Sequence, residues 1–335
     1  MKTRLYSLVG VLVSLLFLYL AVRTVDFPET VRVLGTTQLQ WLLAATLIYL
    51  SAFPIRTLRW RQVLREQKVL SFKEVIVPVL VGHMANNVLP ARTGELYRAH
   101  FLGRRARMSR SGAVGSIVVE RTFDGLMLLA LILLLFLIFP ETHLLGGAAL
   151  AIGAIFLALA VGILFYSFAV DGTHRAINKV LGILPQKLGD FISRRLAYFL
   201  QGIRGVSTVG GCFVVVVYTM LIWAMECSAI ALVVISFGVT LPLTGYLLVY
   251  ALAALGTTLP SGPAYIGPYQ YAFVLALGFF AISRETALAV SVATQLALLG
   301  PITVIGLTLL WREQLRPGPS PPSLKSPEPE KEKVG

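Results

Sequence analysis

Charge is what this chain has least of. Only 13% of its 335 residues are Asp, Glu, Lys or Arg, about half the share carried by a soluble domain. With 56% hydrophobic residues and a mean hydropathy of +0.79, a polytopic membrane protein is the class that remains. Acid is scarcer than base, 16 Asp and Glu against 29 Lys and Arg, for a net charge of +13. Such an excess would suit nucleic acid if it formed a soluble basic face. Here it sits in short loops between apolar runs, the pattern of topology signals and of contact with anionic lipid, so no nucleic-acid partner is expected. Cysteine is nearly absent: Cys212 and Cys227 stand fifteen apart in apolar stretches with no CxxC, which reads as packing. The four histidines, His83, His100, His143 and His174, show no ligand spacing, so no metal site is expected. P-loop, GxGxxG, GxSxG and HExxH patterns are missing, so nothing suggests ATP use or hydrolysis and no cofactor is expected.

What is present is a series of apolar runs, most of them near the roughly 20 residues a spanning helix needs. They are Leu5–Val22, Leu39–Ile55, Gly112–Phe139, Leu144–Val170, Gly211–Phe237, Leu243–Leu259, Tyr269–Ile282 and Thr286–Trp311, the seventh short for a full span. The first imitates a signal peptide but is too long and lacks a clear cleavage site, so it reads as an uncleaved span. Lys and Arg gather at the N-terminus and in 56–74, 92–110 and 171–210. The connections 23–38, 140–143, 237–242 and 283–285 carry only Arg23, Arg32 and Arg284. Positive-inside placement then predicts an all-α integral protein of the cell inner membrane, with about eight crossings and both termini cytoplasmic. Ser71–Phe101 has basic flanks on both sides and an apolar part too short to cross. This predicts a re-entrant element broken at Asn86–Pro90, where Pro90 removes a donor and disfavours helix at Leu89. Ile55–Val69 and Leu188–Val206 read either as amphipathic interfacial segments or as ordinary positive-inside loops. The membrane domain covers 1–316. Residues 317–335, rich in Pro, Ser, Glu and Lys, predict a disordered tail, either plainly solvated or a PxxP ligand, and no soluble catalytic domain is expected after it.

The polar residues concentrate in Val81–Asp124, where a bilayer should exclude them: Asn86, Asn87, Arg92, Glu95 and Arg98, then Glu120, Arg121 and Asp124. A second interrupted stretch, GTTLPSGPAYIGPYQYAFVL at 256–275, matches NNVLPARTGELYRAHFL at 86–102, with Leu89-Pro90 and Leu259-Pro260 set 170 apart. Paired Gly/Pro-interrupted segments in two halves point to a possible internal two-fold repeat and a central site. Arg92 and Arg98 can contact phosphate oxygens of a headgroup, with Glu95 three residues from each, or Glu95 can simply neutralise arginines that set topology. Glu120 and Asp124 share a helical face and either hold arginines of the re-entrant element or titrate as a pair. Glu226, isolated in IWAMECSAI, is a candidate for proton coupling if it lacks a basic partner and a packing acid otherwise.

These motifs resemble the flippase-like family of polytopic membrane proteins related to the transmembrane region of lysylphosphatidylglycerol synthases, over roughly residues 5–312. The resemblance rests on N-x-LP-x-R-x-GE-x-x-R at Asn87 to Arg98, ERxxD at Glu120 to Asp124, and LPSxPxYIGxYQ at Leu259 to Gln270. It implies movement of lipids or lipid-linked sugars between leaflets, without the soluble aminoacyl-transfer domain of the bifunctional synthases, and therefore not an enzyme. The chain departs from the family at Ala264, where glycine is frequent, and at Gln270, where the alternative is Glu. The expected substrate site is Asn86, Asn87, Arg92, Glu95, Arg98, Glu120, Arg121, Asp124, Tyr265 and Gln270. The expected ligand is an anionic lipid or polyprenyl-phosphate-linked sugar, with a glycosyltransferase or lipid-synthesis protein as a possible partner. The alternatives are a membrane component of glycosyl transfer and a non-transporting scaffold.

Overall fold

The computed structural model describes residues 2–89, 93–138, 208–259 and 261–315, with isolated positions between 154 and 206. Every regular element among them is helical: α1 (Lys2–Val22), α2 (Phe27–Gly35), α3 (Leu39–Leu64), α4 (Phe72–Val88), α5 (Gly94–Arg105), α6 (Arg110–Ile138), α7 (Val209–Ser236), α8 (Leu243–Thr258), a 3₁₀ turn (Pro263–Tyr265), α9 (Pro268–Gly278), α10 (Arg284–Thr294), a π segment (Gln295–Leu299) and α11 (Gly300–Leu315). In hydrocarbon the backbone must satisfy itself, and the helix does so within one segment. Among the described residues, four helices are long and apolar enough to cross a membrane: α3, α6, α7 and the continuous run Arg284–Glu313. The pair Gly10–Val22 and Phe27–Gly35, bent by 83°, makes a fifth if counted as one span. The span read at Leu144–Val170, most of the basic segment Leu188–Val206 and the tail after residue 315 lie outside the described residues, as do Pro90, Arg92 and Pro260.

The re-entrant element is a helical hairpin. Ser71 starts α4 with a reciprocal capping box: the Glu74 amide donates to Ser71 Oγ, and the Ser71 amide donates to Glu74 Oε2 at 2.7 Å. The helix stops at Leu89, whose backbone is extended (φ −94°, ψ 143°), as steric conflict with the following proline requires. Helix α5 folds back onto α4 so closely that a Cβ on Gly94 would lie 2.4 Å from the Asn86 amide nitrogen.

The second half repeats this order. A long helix is followed by a short one ending on Leu-Pro, a shorter one packed back onto it, and a long closing helix: α3, α4, α5, α6, then α7, α8, α9, α10–α11. Leu259 ends α8 with the same extended backbone (φ −69°, ψ 140°). The close approach between Gly94 and Asn86 has a counterpart between Pro268 and Gly256, whose Cβ would lie 2.9 Å from the Pro268 carbonyl oxygen. Helices α3 and α7 run antiparallel and form the most extensive contact among the described elements: the Gln38 amide donates to the Ser236 carbonyl at one end, and Arg59 meets Thr219 toward the other. Two repeats joined through antiparallel copies of one helix are inverted relative to each other.

Two readings from sequence differ from this architecture. Leu243–Leu259 and Tyr269–Ile282, read as two spans, fold as one hairpin of helices of 16 and 11 residues, each shorter than the roughly 20 residues a span needs. Gly245 near the start of α8 sits against Phe280 after the end of α9, so the chain enters and returns on one side. Ile55–Val69 is neither an interfacial helix nor a loop through most of its length. It continues α3 to Leu64, with Arg56, Arg59, Trp60, Val63 and Leu64 all buried. The arginines enter the interior because acids on neighbouring helices meet them there.

Candidate functional site

A cavity of 210 Å³ opens between the two hairpins. Helix α3 contributes Tyr49 and Arg56, α4 contributes His83, Asn86 and Asn87, α5 Glu95, and α6 Arg121 and Asp124. From the second half come Trp223 and Glu226 of α7, Tyr250 and Thr257 of α8, Tyr265 of the 3₁₀ turn and Tyr269 of α9. Discontinuous elements of both repeats thus share one polar wall, as broken helices can only where they line a cavity or are buried in protein.

Behind and along that wall runs an ionic network. Arg98 donates to Glu120 Oε2 at 2.7 Å, and its guanidinium lies 3.5 Å from the centre of the Trp60 ring. Arg59 donates to Glu120 at 3.3 Å, to Asp124 at 2.6 Å and to the Thr219 hydroxyl at 3.1 Å. Arg121 bridges Asp124 at 3.1 Å and Glu95 at 3.5 Å. Arg56 pairs with Glu226, which also accepts a 2.8 Å hydrogen bond from the Tyr250 hydroxyl. Arg59 and Glu120 are each only 1% exposed. A buried ion stripped of its counter-charge is costly, and here every one of these arginines has a carboxylate.

The residues singled out from sequence fall into three groups. Asn86, Asn87, Glu95, Arg121, Asp124, Tyr265 and Glu226 line the cavity together. Arg98, Glu120 and Gln270 do not: the first two are buried in the network behind it. Gln270 accepts from the Gly267 amide at 2.8 Å and donates to Gln295 at 2.7 Å, while Gln295 donates to the Ala264 carbonyl. Gln270 therefore shapes the turn that presents Tyr265. Ala264 and Tyr265 both take left-handed backbone, φ 53° and 61°, a conformation glycine adopts without the Cβ conflict. Arg92 lies outside the described residues. Glu226 has the basic partner whose presence the sequence left open.

Arg56, Arg59, Tyr49, Trp223 and Tyr250 were not among the residues read as a site. One signal was available: Arg56 and Glu226 are separated by 170 positions, the same spacing as the two Leu-Pro breaks. A residue that touches its own repeat mate lies on the two-fold axis. Among the described residues no group of three His, Cys, Asp or Glu side chains is arranged to hold a metal ion.

The chain is 24% identical to the glycosyltransferase AglD of Haloferax volcanii over 90% of its own length and 53% of that protein. It is 26% identical to a UPF0104 membrane protein of Methanocaldococcus jannaschii over half of each chain. A UPF0104 membrane protein of Methanothermobacter thermautotrophicus is 24% identical over 81% of this chain and 84% of its own. The chain thus spans about half the length of the first two relatives. The family described as "Lysylphosphatidylglycerol synthase TM region" matches residues 7–306, and this multi-pass, all-helical membrane protein belongs to it.

Proposed function

We propose that the protein translocates a phosphate-bearing lipid, either an anionic lipid or a polyprenyl-phosphate-linked sugar, between leaflets. The headgroup passes through the cavity while the hydrocarbon chains stay in lipid, and the protein itself performs no covalent chemistry. The observation that carries this reading is the sharing of one polar cavity by two inverted, discontinuous hairpins. In repeat-built transporters the substrate site lies at such an interface, and rocking of one repeat against the other gives alternating access. In this proposal Arg121, held in its pairs with Asp124 and Glu95, and the neutral Asn86 and Asn87 supply hydrogen bonds to the headgroup. The distribution of Lys and Arg supports a cell inner membrane location with both termini cytoplasmic.

Reconstituted protein in liposomes carrying a fluorescent phosphatidylglycerol or a labelled polyprenyl-phosphate hexose tests it, with outer-leaflet label destroyed chemically over time. Parent protein exposes inner-leaflet label, and Arg121→Gln slows that exposure about tenfold, as loss of about 1.4 kcal/mol of binding would. Movement of neither lipid by the parent, or equal rates for parent and variant, refutes the reading.

The name of the Haloferax relative favours a second reading, a membrane component of lipid-linked glycosyl transfer. It is separated from the first by incubating purified protein with lipid-linked sugar: a new covalent product, formed without transbilayer movement, establishes it instead.

A further inference from the structure

Charge in and behind the cavity is balanced among the described residues of the ionic network. Arg56, Arg59, Arg98 and Arg121 face Glu95, Glu120, Asp124 and Glu226, and each arginine is within salt-bridge distance of at least one of these acids. An anionic group entering this site finds its cations already engaged, and a cationic group finds its carboxylates engaged. Either must break a partly buried pair and leave the displaced partner uncompensated.

Three buried polar atoms on residues that line the cavity nevertheless lack hydrogen-bond partners: Asn86 Oδ1, an acceptor, and Arg56 Nε and Arg121 Nε, both donors. A phosphate or carboxylate oxygen accepts but does not donate, and an ammonium donates but does not accept. A hydroxyl does both. Five aromatic side chains, Tyr49, Trp223, Tyr250, Tyr265 and Tyr269, share the rest of the wall with aliphatic residues such as Leu128 and Ile230, and Trp223 and Tyr250 meet edge to face at 5.1 Å. Such rings offer an apolar face and a polar tip, which matches a molecule with C–H faces and hydroxyl edges.

We infer that the cavity selects an uncharged, hydroxyl-rich headgroup, a saccharide carried on a lipid phosphate, over headgroups of net charge. This rests on the reading of the cavity as the headgroup site, and deepens it. The ion pairs then act as a fixed array of donors and acceptors for hydroxyls rather than as a trap for phosphate.

Equilibrium binding in detergent micelles tests selection without requiring movement. The full chain is titrated with three labelled lipids: polyprenyl-phosphate hexose, bare polyprenyl phosphate, and an aminoacyl ester of phosphatidylglycerol with a cationic headgroup. The hexose lipid binds at least about tenfold more tightly than either of the others, a difference of roughly 1.4 kcal/mol. Glu226→Gln unpairs Arg56, and shifts the ratio of bare phosphate to hexose lipid toward the phosphate by about tenfold. Tyr265→Leu, which removes no member of the Arg–carboxylate pairs, weakens the hexose lipid and not the bare phosphate. Equal or tighter binding of either charged lipid by the parent overturns the inference, as does an unchanged ratio in Glu226→Gln or a uniform loss in Tyr265→Leu. Selective binding without transbilayer movement defeats translocation and leaves the headgroup class standing. Movement without selectivity does the reverse.

Discussion

Removal of the Glu120 carboxylate is the most informative single perturbation of the network. Glu120 is 1% exposed and holds two cations, Arg98 at 2.7 Å and Arg59 at 3.3 Å. In Glu120→Gln, Arg59 keeps Asp124, whereas Arg98, 4% exposed, has no other acid within salt-bridge distance among the described residues. The Trp60 face, 3.5 Å from the guanidinium, is a cation–π contact present in parent and variant alike, so it does not make up the loss. Breaking a buried pair by removing one partner costs about 3–5 kcal/mol, because the other charge is left uncompensated. Asp124→Asn provides the internal comparison. Arg59 then keeps Glu120 and Arg121 keeps Glu95, and Asp124 is already 18% exposed. Its cost is that of lost hydrogen bonds, about 1–3 kcal/mol.

Reversible unfolding in mixed micelles, followed by tryptophan fluorescence, measures both. Glu120→Gln should be the more destabilising by about 2 kcal/mol, and adding Arg98→Gln to it should recover part of the loss. A double-mutant cycle isolates that coupling. If the two variants cost the same, or if Glu120→Gln and Arg98→Gln are simply additive, Arg98 is not held by Glu120 and the network has been misread.

Two further predictions concern the breaks. Gly94→Ala places a Cβ 2.4 Å from the Asn86 amide nitrogen and 2.5 Å from the Gly82 carbonyl oxygen, both backbone atoms, so the first hairpin must open. A loss of about 1–3 kcal/mol or more is expected, larger than for Gly256→Ala, where the nearest contact is 2.9 Å; the same unfolding assay ranks them. Ala264→Gly relieves a left-handed residue at φ 53°. The Cβ conflict is worth about 1–2 kcal/mol against about 0.5–1 kcal/mol of added chain entropy in the unfolded state, so the unfolding midpoint should rise.

Much of the helical architecture was legible because hydrocarbon permits so few alternatives. Apolar length located α3, α6 and α7, and the Leu-Pro breaks located both hairpins. The second hairpin was taken for two crossings because Leu243–Leu259 and Tyr269–Ile282 are apolar throughout, and composition does not distinguish a short helix that returns from one that crosses. At the site, the acids were conspicuous because few rules place a carboxylate in a membrane. Arg56 and Arg59 were hidden by the opposite circumstance: positive-inside bias already accounted for them, although three-residue spacing on a continuing helix puts both toward α7. Tyr49, Trp223 and Tyr250 had no signal, since an aromatic in an apolar run reads as packing until its neighbours are known.

The two repeats share a backbone plan but not a chemistry, and that asymmetry decides which contacts a relative motion of the two halves would break. Arg59, Arg98, Glu95, Glu120, Arg121 and Asp124 all belong to α3, α5 and α6 of the first repeat. The closing helix of the second repeat buries Ala, Leu, Val, Ser and Thr over Arg284–Thr294. A network confined to one repeat survives rigid-body motion of that repeat intact. The Arg56–Glu226 pair does not have this protection, because it joins α3 to α7 at the axis that relates the halves. Rotation about an axis moves on-axis atoms least, so a pure rotation preserves the pair, whereas sliding of α3 along α7 separates it. The same sliding parts Arg59 from Thr219 while leaving its bonds to Glu120 and Asp124. The buried acids of the first repeat therefore stabilise one rigid body, and Glu226 is the carboxylate whose pairing reports how the two bodies move.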